Sequence, residues 1–289
     1  MSASRNQGGG RYHQEVVKFS LRNGLAVITG AASGIGSALA FVMAERGCHL
    51  ALADRDAEGL AAVAGRLRSF KIGISEHLLD VADAQAVAAL PQAVLERHGR
   101  VTVLVNNAGM ALGGRFEDIS EEDFARVFKV NFWSVVRMMR AFLPALRREP
   151  AAQIVNVSSL FGLVSPAGQS AYCATKFAVR AVSEAVRHEL EQEKGPVRLS
   201  VVHPGGVRTK ILDNAQSPRK ATEEEIARER ERYRKLLATP PEKVAEQIVR
   251  GVERREKRIL VGAYARQGDL VQRFLPASYW TIIRFWMKA

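Results

Sequence analysis

Short apolar runs alternate with longer segments of helical periodicity along most of this chain. The runs are rich in Val, Ile and Leu, which is typical of strands buried on both faces of a parallel sheet. Helical crossovers between the runs predict an α/β fold, a doubly wound parallel sheet of about seven strands with helices on both faces. The predicted strands cover residues 25–29, 49–53, 77–79, 101–105, 153–157, 197–202 and 259–261.

Three polar positions between these runs predict where helices begin. Ser120 and Thr222 each precede an acidic residue by three positions, so their hydroxyls can cap a first helical turn. Thr239 precedes two prolines, and a proline in the first turn gives up no backbone hydrogen bond. We therefore expect a helix after each of the three.

The net charge of the 289 residues is +12, and the excess lies toward the two ends of the chain. Residues 25–207 hold 19 Lys and Arg against 18 Asp and Glu (+1), whereas residues 208–289 hold 19 against 11 (+8). Acidic residues are interleaved through that last part, so we expect no nucleic-acid partner. Two cysteines and six histidines without ligand spacing predict a cytoplasmic protein with neither a disulfide framework nor a metal site.

Residues 29–36, Thr-Gly-Ala-Ala-Ser-Gly-Ile-Gly, connect the first predicted strand to a helix. Glycines in that context allow a tight turn whose backbone N–H groups can approach a pyrophosphate at the helix N-terminus. The turn therefore indicates a dinucleotide site in a Rossmann-type fold. Its candidate contacts are Gly30, Ser33, Gly34, Ile35 and Gly36.

Asp54 and Arg55, after the second predicted strand, bear on the choice of dinucleotide. A carboxylate there can bond both hydroxyls of the adenosine ribose and repel a 2′-phosphate. Arg55 could instead hold that phosphate. We expect NAD as the cofactor, with NADP as the alternative.

Five motifs in register resemble the short-chain dehydrogenase/reductase family in its compact, single-domain form. They are the glycine turn, Asn-Asn-Ala-Gly at 106–109, Ser159, Tyr172-x-x-x-Lys176 and Pro204-Gly205. The resemblance covers roughly residues 22–262. It implies an oxidoreductase that transfers a hydride between a nicotinamide cofactor and a carbonyl or secondary alcohol.

The resemblance assigns general acid–base catalysis to Tyr172, with Lys176 one helical turn away on the same face. An ammonium and an oxidised nicotinamide cation would both favour the phenolate of a tyrosine whose ordinary pKa is about 10. Ser159 would hydrogen-bond the substrate oxygen, with Ser158 as the competing candidate. Asn131 matches the asparagine that orders a water next to Lys176.

The resemblance also implies further cofactor contacts at the strand ends. They are Asp80 and Val81 around the adenine, Asn107, Ala108 and Gly109 beneath the adenosine, Tyr172 and Lys176 toward the nicotinamide ribose, and Pro204, Gly205, Val207 and Thr209 toward the carboxamide.

The residues expected to line the substrate cleft are mostly apolar, which favours a hydrophobic alcohol or ketone over a sugar phosphate. They are Leu112, Leu160, Phe161, Val164, Pro166, Gln169, Ile211 and Leu212.

We expect a flexible tail at 1–20, a single dinucleotide-binding catalytic domain at 21–265 with a substrate loop at 205–240, and an amphipathic extension at 266–289. Aromatic and basic residues in the extension could seat it at an anionic membrane surface, although packing on the body or a neighbouring subunit is favoured. The resemblance implies a dimer or tetramer. A non-catalytic, dinucleotide-sensing protein of the same fold is the alternative function, which a broken Ser-Tyr-Lys set would favour.

Overall fold

A computed structural model describes residues 19–209, 222–224, 227, 231 and 237–286. Within them, seven strands form one sheet in the order β3-β2-β1-β4-β5-β6-β7, and every neighbouring pair is parallel. The prediction of a doubly wound α/β fold is confirmed. The strands are β1 (Leu25–Thr29), β2 (His49–Asp54), β3 (Ile74–Leu78), β4 (Val103–Asn106), β5 (Ala152–Val157), β6 (Val197–Pro204) and β7 (Arg258–Val261).

Helices cover both faces of the sheet. One hydrophobic core lies beneath α1, α2 and α7, and a second lies beneath α3, α5 and α6. Each fully buried Leu or Phe in these cores contributes about 1.5–3 kcal/mol of transfer free energy. The helices are α1 (Gly34–Glu45), α2 (Ala57–Leu67), α3 (Ala84–His98), α4 (Glu121–Phe128), α5 (Ser134–Leu146), α6 (Ser170–Glu193), α7 (Pro241–Glu253), α8 (Ala263–Phe274) and α9 (Tyr279–Trp286).

All three expected helix starts are confirmed, since Glu223, directly after Thr222, is also helical. The Ser120 hydroxyl accepts a hydrogen bond from the backbone N–H of Asp123 at 3.1 Å, and α4 begins at the next residue. Helix α7 begins at Pro241. The acidic partner expected for Thr222 lies outside the described residues, as do residues 1–18 of the expected tail.

The third strand begins at Ile74, so the prediction that it begins at His77 was wrong. The reason is its place at the edge of the sheet, where it pairs with β2 alone among the described strands. An edge strand is partly solvated, and its sequence Ile-Ser-Glu-His-Leu lacks the continuous apolar run that marks the central strands.

The C-terminal extension packs on the body of the domain as far as it is described. Ile283 of α9 is buried in a cluster with Leu163 and Val164. The backbone N–H of Ser165 donates to the Tyr279 hydroxyl at 3.1 Å. None of the helices in the described ranges is long and apolar enough to cross a membrane.

Candidate active site

The glycine turn between β1 and α1 is crowded by backbone. Gly30 and Gly34 have φ of +68° and +56°, a region that side chains rarely adopt. A Cβ on Gly36 would lie 2.0 Å from the Gly30 carbonyl oxygen. The Asn107 side-chain amide also presses on the turn, because it donates to the carbonyl oxygens of Thr29 at 3.0 Å and Gly30 at 3.2 Å. Glycine is therefore required at these positions for the turn to close.

Thr29 joins the turn to the end of β4. Its hydroxyl oxygen accepts from the backbone N–H groups of Asn107 at 3.0 Å and Ala108 at 3.1 Å, and its O–H donates to Val105 O at 3.3 Å. Sequence reasoning quoted this threonine in the motif without giving it a role. Its position at the end of an otherwise apolar strand was the available signal.

Asp54 is held beside the glycine turn by two backbone donors. Its carboxylate accepts from the N–H of Ala32 at 2.9 Å and from the N–H of Asp56 at 3.1 Å. Arg55 is exposed. At the next strand end, exposed Asp80 accepts from Ala82 N at 2.8 Å, and Val81 is buried.

Tyr172 and Lys176 lie on the first turns of α6, directly beside the end of β5. The Lys176 Nζ donates to the Val157 carbonyl oxygen at 3.0 Å and lies 5.7 Å from the centre of the Tyr172 ring. Ser159 follows β5, and its hydroxyl accepts from the Phe161 N–H at 3.1 Å and hydrogen-bonds the Tyr172 phenol. The structure therefore brings the three residues of the expected catalytic set together.

Burial acts on both titratable groups of this set. It raises the pKa of Tyr172 to about 12, and the hydrogen bond from Ser159 opposes the rise. It lowers the pKa of Lys176 to about 8. In the protein alone the pKa of the phenol is raised, because desolvation disfavours the charged form of each group. The expected effect of the ammonium together with a nicotinamide cation stays a prediction.

Ser158 has a packing role. Its hydroxyl donates to the Lys176 carbonyl oxygen at 2.9 Å, and the side chain is buried. A Cβ on Gly162 would lie 2.3 Å from that hydroxyl oxygen. Of the two adjacent serines, only Ser159 has its hydroxyl against the tyrosine.

Asn131 lies in a π-helical turn, Lys129–Trp133, between α4 and α5. Its side chain accepts from Met110 N at 2.8 Å and donates to Met110 O at 3.0 Å and to the Thr175 hydroxyl at 3.1 Å. The amide thus ties the segment after β4 to α6. Its expected role in ordering a water stays a prediction.

The segment 107–109 lies between the glycine turn and the lysine. A Cβ on Gly30 would lie 2.9 Å from the Ala108 Cα, and one on Gly109 would lie 3.6 Å from the Lys176 Nζ. Small residues are therefore needed along this path.

Past Pro204, the last residue of β6, the chain turns back toward the glycine turn. Gly205 allows α8 to approach, since a Cβ there would lie 2.8 Å from the Ala265 nitrogen. Val207 bridges to Thr239, and the Thr209 methyl lies 3.2 Å from where a Cβ on Gly34 would be.

The apolar wall beside Ser159 differs in part from the expected cleft. Leu160 and Phe161 are half-buried, whereas Leu112, Val164, Pro166 and Gln169 are buried. Leu112 belongs to the core formed with Ile119, Val127 and Ala171, because its segment packs beneath α4 and α6. Ile211 and Leu212 lie outside the described residues.

Sequence reasoning missed the contribution of α9 to this wall. Tyr279, Trp280 and Ile283 pack against the Leu160–Val164 segment. Their aromatic and aliphatic spacing was visible in the sequence, but the surface that they cover was not.

The chain is similar to known oxidoreductases over most of its length. A family model described as short chain dehydrogenase matches residues 24–220. SadH of Mycobacterium tuberculosis, described as an inferred oxidoreductase, is 39% identical over 91% of this chain and 95% of its own.

Two solved structures are similar in fold and sequence. A short chain dehydrogenase/reductase from Burkholderia phymatum in complex with NAD has a TM-score of 0.83 at 31% identity, with 89% of this chain and 95% of that chain covered. An alcohol dehydrogenase from the archaeon Thermococcus sibiricus complexed with 5-hydroxy-NADP has a TM-score of 0.69 at 30% identity, covering 82% and 95%.

Proposed function

This chain belongs to the short-chain dehydrogenase/reductase family, and we propose that it transfers a hydride between a nicotinamide cofactor and a carbonyl or secondary alcohol. The observation that carries the proposal is the convergence of Tyr172, Ser159 and Lys176 at the end of β5. A regulatory protein that only senses the dinucleotide would not need this set.

The residues present fit a dinucleotide. The turn at 30–36 lacks side chains where a diphosphate must approach backbone N–H groups, and Asp54 is fixed beside it. The diphosphate would be held by Gly30 and residues 33–36, and the remaining parts by Asp54, Asp80, Val81, residues 107–109, Tyr172, Lys176, Pro204, Gly205, Val207 and Thr209. A bound nicotinamide would supply or accept the hydride.

Tyr172 is the proton-transfer residue of the proposed reaction. With its pKa raised to about 12, the phenol is protonated at neutral pH, which is the form that donates to a carbonyl oxygen during reduction. Ser159 would hydrogen-bond the same oxygen where negative charge develops. Lys176, with its pKa lowered to about 8, remains mainly an ammonium at neutral pH and can return a proton toward the phenol.

We propose NAD as the preferred cofactor, because the Asp54 carboxylate, held beside the glycine turn, would repel a 2′-phosphate. Similar proteins bind NAD in one case and an NADP derivative in another, so the likeness supports a nicotinamide cofactor without choosing between them. Asp54→Ala should weaken NADH binding and relax the exclusion of NADPH, measured by cofactor fluorescence. Tighter binding of NADPH than NADH by the wild type would contradict the preference.

The proposed substrate is a hydrophobic alcohol or ketone, supported by Leu160 and Phe161 next to Ser159. We also propose a cytoplasmic dimer or tetramer, with peripheral membrane contact through 268–289 less favoured.

A screen of secondary alcohols and ketones with NAD(H) and NADP(H), followed at the nicotinamide absorbance, tests the activity. Tyr172→Phe should lose nearly all turnover on any substrate found and keep NADH binding, because only the titratable oxygen is removed. Turnover equal to the wild type in that variant would refute the role of Tyr172. Cofactor binding without turnover across the screen would favour the sensing alternative.

A further inference from the structure

A cavity lies at the end of the sheet where strands β6 and β7 begin, opposite the end where the candidate active site lies. Its volume is about 270 Å³, it is partly open to solvent, and it is lined by the last turns of α6, the start of β6 and the turn that precedes β7. Buried Leu199 forms part of its lining. The proposed reaction does not use this cavity, and binding at the cavity would not depend on that reaction.

The lining of the cavity is strongly cationic: Arg187, Lys194, Arg198, Arg255 and Lys257 face a single carboxylate, Glu191. Glu191 lies 3.0 Å from the Lys257 Nζ and 3.7 Å from the Arg187 Nε. Helices α6 and α7 both end here, and each helix C-terminus contributes about half a negative charge. Glu191 and the two helix C-termini together carry about two negative charges. Against five cations, they leave an excess of about three positive charges.

Several of these cations lack a counter-charge. Across the described ranges, no carboxylate pairs with Lys194, Arg198 or Arg255. Burial lowers the pKa of Arg255, and the nearby guanidinium of Arg198 lowers it further. The Arg187 Nε is buried and has no hydrogen-bond partner in that part of the structure. An anion in the cavity would relieve this repulsion and satisfy the buried donor.

The backbone at two of the cations is also unusual. Lys194 and Arg255 have φ of +53° and +54°, at helix ends where glycine or asparagine commonly adopts the left-handed region. At each of the two helix ends, the strained backbone therefore belongs to a residue whose side chain lines the cavity.

We propose that this cavity binds a small, multiply charged phosphate-bearing anion such as a diphosphate or triphosphate. Guanidinium groups donate paired hydrogen bonds to phosphate oxygens, and ammonium groups add charge. The volume of about 270 Å³ suits a compact anion. The same phosphate chemistry could come from a lipid headgroup, and binding to vesicles distinguishes that source from the free anion.

Titration calorimetry of the full chain with inorganic pyrophosphate, at constant ionic strength, tests the proposal. Saturating NADH would occupy the candidate cofactor site, so that binding at this cavity is measured separately. We expect Lys194→Gln and Arg255→Gln to weaken pyrophosphate binding at least tenfold. Lys194 is exposed, so its variant should fold even if the Arg255 variant does not.

Two variants provide matched controls. Lys71→Gln removes an exposed lysine with φ of +54°, and Arg254→Gln removes an exposed arginine next to Arg255. Both should bind pyrophosphate like the wild type. Equal losses in the controls, no loss in the cavity variants, binding no stronger than that of sulfate, or abolition by NADH would each overturn the proposal.

Two further arms distinguish the source of the phosphate. Sedimentation with phosphatidylglycerol vesicles and gel shift with a DNA duplex should both be weak and insensitive to Lys194→Gln. Strong, Lys194-dependent binding to either, without binding of pyrophosphate, would replace the small anion by a lipid or nucleic-acid surface.

Discussion

The His203 Nδ1 lies 2.9 Å from the carbonyl oxygen of Ser159, so the end of β6 is joined to the residue beside Tyr172. Because a carbonyl can only accept, the imidazole donates from Nδ1, and its buried Nε2 has no hydrogen-bond partner among the residues described. Burial lowers the pKa of His203 to about 4. His203 therefore combines a buried place at the strand end with a hydrogen bond to the serine backbone.

This relationship predicts a loss of stability in acid. The folded-state pKa of His203 is about 4 and the unfolded value about 6.5, so between these pH values the unfolded chain binds the additional proton. The contribution of His203 is therefore fully present above pH 6.5 and is lost as the pH falls toward 4. The difference in unfolding free energy between the wild type and His203→Gln should shrink by about 2 kcal/mol from pH 7 to pH 5.

Urea denaturation at the two pH values measures this difference. His188→Gln is the matched control, since it removes an exposed histidine on α6. If the difference in unfolding free energy between the wild type and His203→Gln does not change with pH, His203 is not buried as a neutral ring.

The two adjacent serines should separate catalysis from packing. Ser159→Ala should lower kcat by about 10²-fold or more, because in the proposed reaction the lost hydroxyl would face the reacting oxygen, and it should also lose the stability of the bond from the Phe161 N–H. Ser158→Ala should instead lower the unfolding free energy by about 1 kcal/mol, because it loses the bond to the Lys176 carbonyl, and should keep kcat. Steady-state kinetics and denaturation of both variants check this, and the opposite pattern would exchange the two roles.

Gly36 and Gly65 are both helical glycines, yet alanine should have opposite effects at the two positions. Gly36→Ala puts a methyl group 2.0 Å from the Gly30 carbonyl oxygen and 2.6 Å from the Asn107 amide nitrogen, so the turn must open. We expect loss of NADH binding and a destabilised fold. Gly65→Ala meets nothing within 4 Å and should stabilise α2 by about 0.5–1 kcal/mol. Thermal unfolding and cofactor fluorescence would show whether the turn tolerates the methyl group after all.

Lys176 should make a pH-dependent contribution of the same sign as that of His203, but in a more alkaline range. Its pKa falls from about 10.5 in the unfolded chain to about 8 when folded, so the burial penalty is full below pH 8 and is lost as the pH rises toward 10.5. The stability of the wild type relative to Lys176→Met should increase by about 2 kcal/mol from pH 7 to pH 9.5.

Only the comparison of the wild type with Lys176→Met isolates the contribution of the lysine to stability. Burial raises the pKa of Cys48 and Cys173 to about 12, so both thiols lower stability in alkali in either chain. The exposed Lys243, changed to Met, serves as the control. A flat difference for Lys176→Met would mean that the lysine is hydrated.

Much of the fold follows from local patterns in this chain. Central strands such as β1 and β5 are buried on both faces, and such strands need continuous apolar runs that can be recognised without coordinates. The start of the edge strand β3 could not be recognised in this way, because part of its surroundings is solvent. Caps such as Ser120 were also predictable, since their partners lie three residues away.

The sequence by itself determined the class of fold, the glycine turn and the Tyr172–Lys176 spacing, because each depends on residues close together along the chain. Only the tertiary structure decided which of Ser158 and Ser159 faces the tyrosine, that α9 covers the wall beside them, and that the pKa of the phenol is raised. Those outcomes depend on burial and on contacts between residues far apart in sequence, and desolvation is a property of the packed surroundings, which no local spacing encodes.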